Sequence, residues 1–157
     1  MIDSMLSGAV AGFLATAPMT VAMEAMRRLL PAREQYALPP STITAELTEE
    51  TGLTQHMNQE EHRALTLLNH FGYGAGTGAL YGFAQWAAAG KLSLPPVVSG
   101  IAYGLVVWSV SYLGLLPALG LFRPAGDQPA RRNALMIVAH IIWGAVLGSL
   151  FARRAAS

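Results

Sequence analysis

Two histidines, His70 and His140, lie in stretches that contain no Lys, Arg, Asp or Glu. The first opens "HFGYGAGTGALYGF" at residues 70–83 and the second opens "HIIWGAVLGSLF" at residues 140–151. An imidazole in so apolar a run has three uses. A pair of them can ligate a b-type haem or a metal ion. They can relay protons or handle a solute. Or each can donate a hydrogen bond to Ser, Thr or Tyr on a neighbouring helix. No acidic ligand and no second histidine at four-residue spacing accompanies either one, which leaves the metal set thin.

Set side by side, the two stretches match at five of twelve positions, including Gly74 with Gly144 and Gly78 with Gly148. Tyr73 falls opposite Trp143, and the two aromatics join the histidines as candidates for ligand or proton handling. "SGAVAG" at 7–12 echoes "SGIAYG" at 99–104 in the same way. The chain therefore reads as two repeated helix pairs. Each repeat crosses twice and returns to its starting side, so the pseudo-twofold axis runs along the membrane normal.

Other groups with chemical potential have plainer uses. Glu24 precedes Arg27 and Arg28 by three and four residues, which suits an interfacial ion pair; a buried transport carboxylate is the alternative. Met19, Met23 and Met26 form a stripe that can bind Cu(I), but methionine serves more often as a gap filler. His56 and His62 lie near Glu60 and Glu61, either as a surface metal site or as a solvated helix start. There is no cysteine, no pair of carboxylates placed for hydrolysis, no GxSxG and no phosphate-cradling loop. Nothing here reads as an enzyme.

The elements that must position these residues are set by where charge is missing. Charged residues make up 12% of the 157, against about 25% in an ordinary soluble protein. Residues 4–23, 64–90, 92–122 and 133–152 are free of charge. A bilayer core of about 30 Å takes roughly 20 helical residues. Spans are expected at about 5–30, 64–89, 95–118 and 132–152, with a polar segment at about 31–60. The fold class is all-α, an integral membrane four-helix bundle in one domain. Each histidine would lie about 10 Å from the same membrane edge.

Pro18 lies within the first span and cannot donate to the carbonyl of Leu14, so a kink is expected near Thr16 and Thr20. In "LPPSTITAELTEETG", Ser41 can cap a surface helix whose Ile43 and Leu47 share a face, with Gly52 ending it. Asn58 and Glu61 have the spacing of a capping box. Pro95 with Pro96, and Pro129, suit helix starts.

Glycines at 8 and 12, at 74, 78 and 82, at 100 and 104, and at 144 and 148 are spaced by four. Each set lines one face of its helix. In lipid, close backbone approach across such faces supplies the contacts that hold helices together. Self-association, or packing against another membrane protein, follows as the expected partnership alongside the bilayer itself. The net charge of +1 gives no basic patch for nucleic acid. Seven arginines flank the loops after spans one and three, against Lys91, Arg153 and Arg154 on the other side, so those two loops are expected in the cytoplasm.

The run "HFGYGAGTGALYG", a proline-rich exit from the third span and the final "AHIIWGAVLGSLFARR" together resemble the small four-span bacterial inner-membrane proteins with YagU-like domains of unknown function. The likeness covers about residues 5–154. It implies a bacterial inner membrane and supplies no established activity, so no catalytic residue carries over. The leading expectation is a non-catalytic helix-packing component with no cofactor. The alternatives are a small-solute or proton carrier using His70 and His140, or binding of haem b or a metal by that pair.

Overall fold

The computed structural model describes residues 1–89 and 94–155; Lys91, counted above for orientation, lies outside them. The described residues are helical with short connections and no strand. Helix α1 is Ile2–Arg28, α2 Pro39–Glu50, α3 Gln59–Ala87, α4 Pro96–Val110, α5 Leu116–Ala118 and α6 Ala130–Ala155. A π-helical turn, Ser111–Leu115, joins α4 to α5 without a break. The segments Ile2–Arg28, Pro96–Ala118 and Ala130–Arg154 are long and apolar enough to cross a membrane. With 29 residues α3 also has the length, but its glycines and tyrosines with Asn69 and His70 dilute its hydropathy.

Local signals account for most boundaries. The carboxamide of Asn58 accepts from the amides of Glu60 and Glu61 at 2.9 and 3.0 Å, and Glu61 accepts from the Asn58 amide at 2.8 Å. That closes the capping box at the start of α3. An Asn58→Ala variant is expected to lose ~1 kcal/mol of helix-end stability. Amide exchange at Glu60 and Glu61 should quicken about fivefold, with the exchange of residues 74–82 unchanged.

The start of α2 differs from expectation. Ser41 does not cap it; Leu38 is the N-cap and Pro39 the first helical residue. Proline there is already set for helical φ, and its missing N–H would have had no helical partner anyway. Gly52, with φ of +70°, ends α2 through its amide to Glu49. α1 continues through Pro18 as one helix. The hydroxyls of Thr16 and Thr20 on either side donate to the carbonyls of Gly12 and Thr16.

Packing follows residue size. On α1 the buried positions include Gly8, Ala11, Gly12, Ala15 and Thr16, while Leu6, Val10, Phe13, Leu14 and Val21 point outward. Up to Thr16, large apolar side chains outside and small ones inside reverse the pattern of a water-soluble bundle, while further along Met19 and Met23 are buried. α1 lies against α3, α4 against α6, and α1 against α6. A β-carbon on Gly12 would stand 2.8 Å from the Cα of Gly78, and one on Gly100 would stand 2.9 Å from the Cα of Gly148. Only hydrogen fits between such backbones.

The contacts in the two helix pairs run in parallel. Gly8 meets Gly78 as Gly100 meets Gly144, Gly12 meets Gly74 as Gly104 meets His140, and Gly82 meets Ser4 as Gly148 meets Pro96. This register is one helical turn away from the one read along the chain. There, Gly78 matched Gly148 and His70 matched His140; in space, His140 corresponds to Gly74. Sequence identity between glycine-rich helices cannot separate registers four residues apart, whereas backbone contact can.

Candidate functional site

Where no pair of glycines faces another across a contact, helices can stand apart. α3 and α4 do not pack closely; long side chains bridge them at three levels. Tyr73 and Ser111 share a hydroxyl contact of 2.7 Å, the Tyr103 hydroxyl donates to the Thr77 carbonyl at 2.7 Å, and Tyr81 and Gln85 both reach Ser99. On the side nearer α2 the gap widens into a cleft of about 590 Å³. Its rim carries the exposed side chains of Leu68, Leu115 and Leu119.

Both histidines line this cleft, His70 from α3 and His140 from α6. Tyr73 and Trp143 line it as well, so four candidates from two helices, α3 and α6, share one space. Glu24 does not join them. Its carboxylate is held by Arg27 at 2.8 and 2.7 Å and by Arg28 at 3.2 Å, at the end of α1. Of the methionine stripe, Met19 and Met23 reach the cleft and Met26 does not. His56 lies in the turn before α3 and His62 in its first turns, both away from it. Among the described residues no three His, Cys, Asp or Glu side chains gather as a metal site.

Most polar groups on the walls already have partners within the protein. His140, 5% exposed, places Nδ1 2.7 Å from the Met136 carbonyl one turn earlier. His70 Nδ1 lies 3.3 Å from the Thr20 hydroxyl. The Trp143 indole N–H donates to the Gly12 carbonyl across the α1–α6 contact at 3.1 Å. The Thr16 and Thr77 hydroxyls turn back onto their own helices. No Lys, Arg, Asp or Glu lines the cleft.

Two elements were not expected to shape this space. The π turn carries Ser111 and Tyr112, the first bridging to Tyr73 and the second packing edge-on to the His140 ring at 5.8 Å between centroids. A π turn slips one extra residue into the helix and re-aims those that follow, a feature common at functional sites. α2 lies across one end with Ile43, Thr44 and Leu47 on the cleft side, and Asn69 Nδ2 donates to the Thr44 hydroxyl at 3.2 Å. The shared face of Ile43 and Leu47 was readable; that Asn69, Thr77, Ser111 and Tyr112 meet it was not. A polar "SY" inside an uncharged run was the one available hint.

α2 is held from below by Arg132, which is 5% exposed. Its guanidinium donates to the carbonyls of Glu34, Tyr36 and Ala37 at 2.7, 3.2 and 2.8 Å. It also stacks 3.6 Å from the centroid of the Tyr36 ring. The segment between α1 and α2 is thereby fastened to the first turn of α6.

The class so defined is an all-helical protein whose long apolar helices enclose an uncharged cleft. The chain belongs to the family described as "Protein of unknown function (DUF1440)", whose model matches residues 18–148. Apart from Thr16, every residue lining the cleft falls within that match. No curated protein and no solved structure matches the chain.

Proposed function

We propose that this chain is a four-span protein of a bacterial inner membrane, a four-helix bundle of two repeated helix pairs, that holds a small neutral molecule in the cleft between α3 and α4. The loops after the first and third spans lie on the cytoplasmic side, so α2 covers the cytoplasmic end of the cleft. The role is binding or carriage rather than catalysis, since no nucleophile and base stand together on the walls. The observation that carries this reading is the convergence of His70, His140, Tyr73 and Ser111 on one cleft of about 590 Å³ that no charged side chain lines. That volume lies in the range of about 300–1,000 Å³ typical of small-molecule sites.

Assembly with other copies through the glycine faces has less support, because those faces meet partners inside the same chain. Haem b is disfavoured too, since its propionates would find no cation on the cleft lining. Native mass spectrometry tests the proposal on protein taken from membranes into lipid nanodiscs. The wild type is expected to carry a small-molecule adduct. Thr77→Phe, which fills the cleft from a wall whose hydroxyl makes only local bonds, is expected to lose it while keeping wild-type helical circular dichroism. The same adduct on both proteins, or none on the wild type, rejects the reading.

A further inference from the structure

We infer that the occupant of this cleft is a neutral, largely apolar molecule with a hydroxyl that donates a hydrogen bond to Nε2 of His140. The inference rests on the cleft being a binding site and adds the chemical class of its ligand.

The argument follows the protons. A carbonyl oxygen only accepts, so the 2.7 Å contact between His140 Nδ1 and the Met136 carbonyl requires the proton on Nδ1. In the neutral ring Nε2 is then a lone-pair acceptor. No carboxylate on the cleft lining favours an imidazolium. His70 reaches the same state by a different route. The single hydroxyl proton of Thr20 goes to the Thr16 carbonyl at 2.7 Å, so the proton shared with His70 at 3.3 Å comes from the ring. Nδ1 of His70 is a donor and its Nε2 an acceptor.

Among the described residues neither Nε2 has a hydrogen-bond partner. Several donors nearby are committed: the Trp143 N–H to Gly12, the Thr16 hydroxyl to Gly12, and the Thr77 hydroxyl to Tyr73 and Gly74. The cleft therefore offers two unmet imidazole acceptors on largely apolar walls, alongside the hydroxyls of Thr44 and Tyr112. An acceptor left unmet in an apolar cleft is costly, so a ligand able to donate gains over one that is not. The absence of charge on the walls sets the other half of the class, because an ionised head would be desolvated without a counter-charge. A long-chain alcohol, an alkylphenol and a quinol-type head share this chemistry.

Matched probes separate the ideas. Wild-type protein in phosphatidylcholine nanodiscs is titrated with 4-octylphenol and with 4-octylanisole, which differ by the hydroxyl proton, and bound probe is read by native mass spectrometry. The phenol is expected to bind about tenfold more tightly. His140→Ala is expected to bring the two within about threefold of each other, and His70→Ala reports the share of the second ring. Equal binding of the two probes to the wild type overturns the donor assignment and leaves the cleft as a binding site. A phenol preference retained in His140→Ala also overturns it. If neither probe binds the wild type, the cleft reading falls and takes this inference with it. The wild-type comparison decides the matter even if a variant fails to fold.

Discussion

Gly78→Leu is expected to abolish the close pairing of α1 with α3, whereas Gly76→Leu, two residues away, leaves the protein folded. A β-carbon at 78 would lie 2.8 Å from the Cα of Gly12 and 3.1 Å from its amide nitrogen, with backbone on the far side rather than a movable side chain. Nothing lies within 4 Å of the same atom at Gly76. The larger residue at 78 forces the helix axes apart over several turns and forfeits the dispersion contacts of the neighbouring glycines. A loss of about 4 kcal/mol or more is expected, the range reached when a core position is overfilled against backbone that cannot yield. Leucine at 76 instead gains about 1 kcal/mol of helix propensity. Thermal unfolding in detergent, followed by circular dichroism, separates the two. Equal melting temperatures would show that the glycine contact is not what holds these helices. The pair also explains the alternation in "GYGAGTG": Gly74 and Gly78 face α1, while Gly72 and Gly76 face open space, Gly72 at the cleft.

The second large effect is expected at Arg132. Arg132→Met keeps an unbranched apolar stem and removes all three bonds to the Glu34, Tyr36 and Ala37 carbonyls, along with the stacking on Tyr36. Hydrogen bonds from a charged group are worth about 1.5–3 kcal/mol each. A net loss of about 3 kcal/mol is expected once the desolvation cost of the buried guanidinium is removed as well. Arg132→Lys should recover less than half of that, because one ammonium cannot reproduce a planar fork spanning three acceptors. Limited proteolysis provides the check, with cleavage between residues 31 and 38 rising in Arg132→Met while α1 and α6 stay protected. Unchanged cleavage would mean that the segment is held by something else. Because this segment leads directly into α2, the same variant is expected to weaken occupancy of the cleft without touching its walls.

Much of this architecture was legible before any coordinates, and for physical reasons. Helix limits followed from the loss of charge and from proline, so α3 begins at the Asn58 capping box and α4 at the Pro95–Pro96 pair. Glu24 pairs with Arg27 and Arg28 because the spacing is local to one helix. What stayed hidden depends on meetings between distant parts of the chain. The three carbonyls that hold Arg132 are more than ninety residues away in sequence, and backbone acceptors carry no side-chain signature. The π turn at Ser111–Leu115 breaks no composition rule. The cleft is a consequence of where α3 and α4 fail to touch, which no single stretch encodes. His70 and His140 stood out in the sequence as imidazoles in uncharged runs. His70 on α3 and His140 on α6 both line that cleft, while the contact register of the two helix pairs makes Gly74 the counterpart of His140.

The uneven bonding among the four long helices has a mechanical corollary. α1–α3 and α4–α6 are locked at backbone level and α1–α6 packs closely, while α3 with α4 is laced by hydroxyl and amide bridges at Ser111, Thr77 and Ser99. Such a ring yields at its laced side first. At about 1 kcal/mol for each bridge, unlacing costs about 3 kcal/mol and places the splayed form at on the order of one molecule in a hundred. For the ligand proposed above, passage in and out is then expected to run sideways, between two rods that part like a slit, with the glycine ridges serving as the fixed back of the frame.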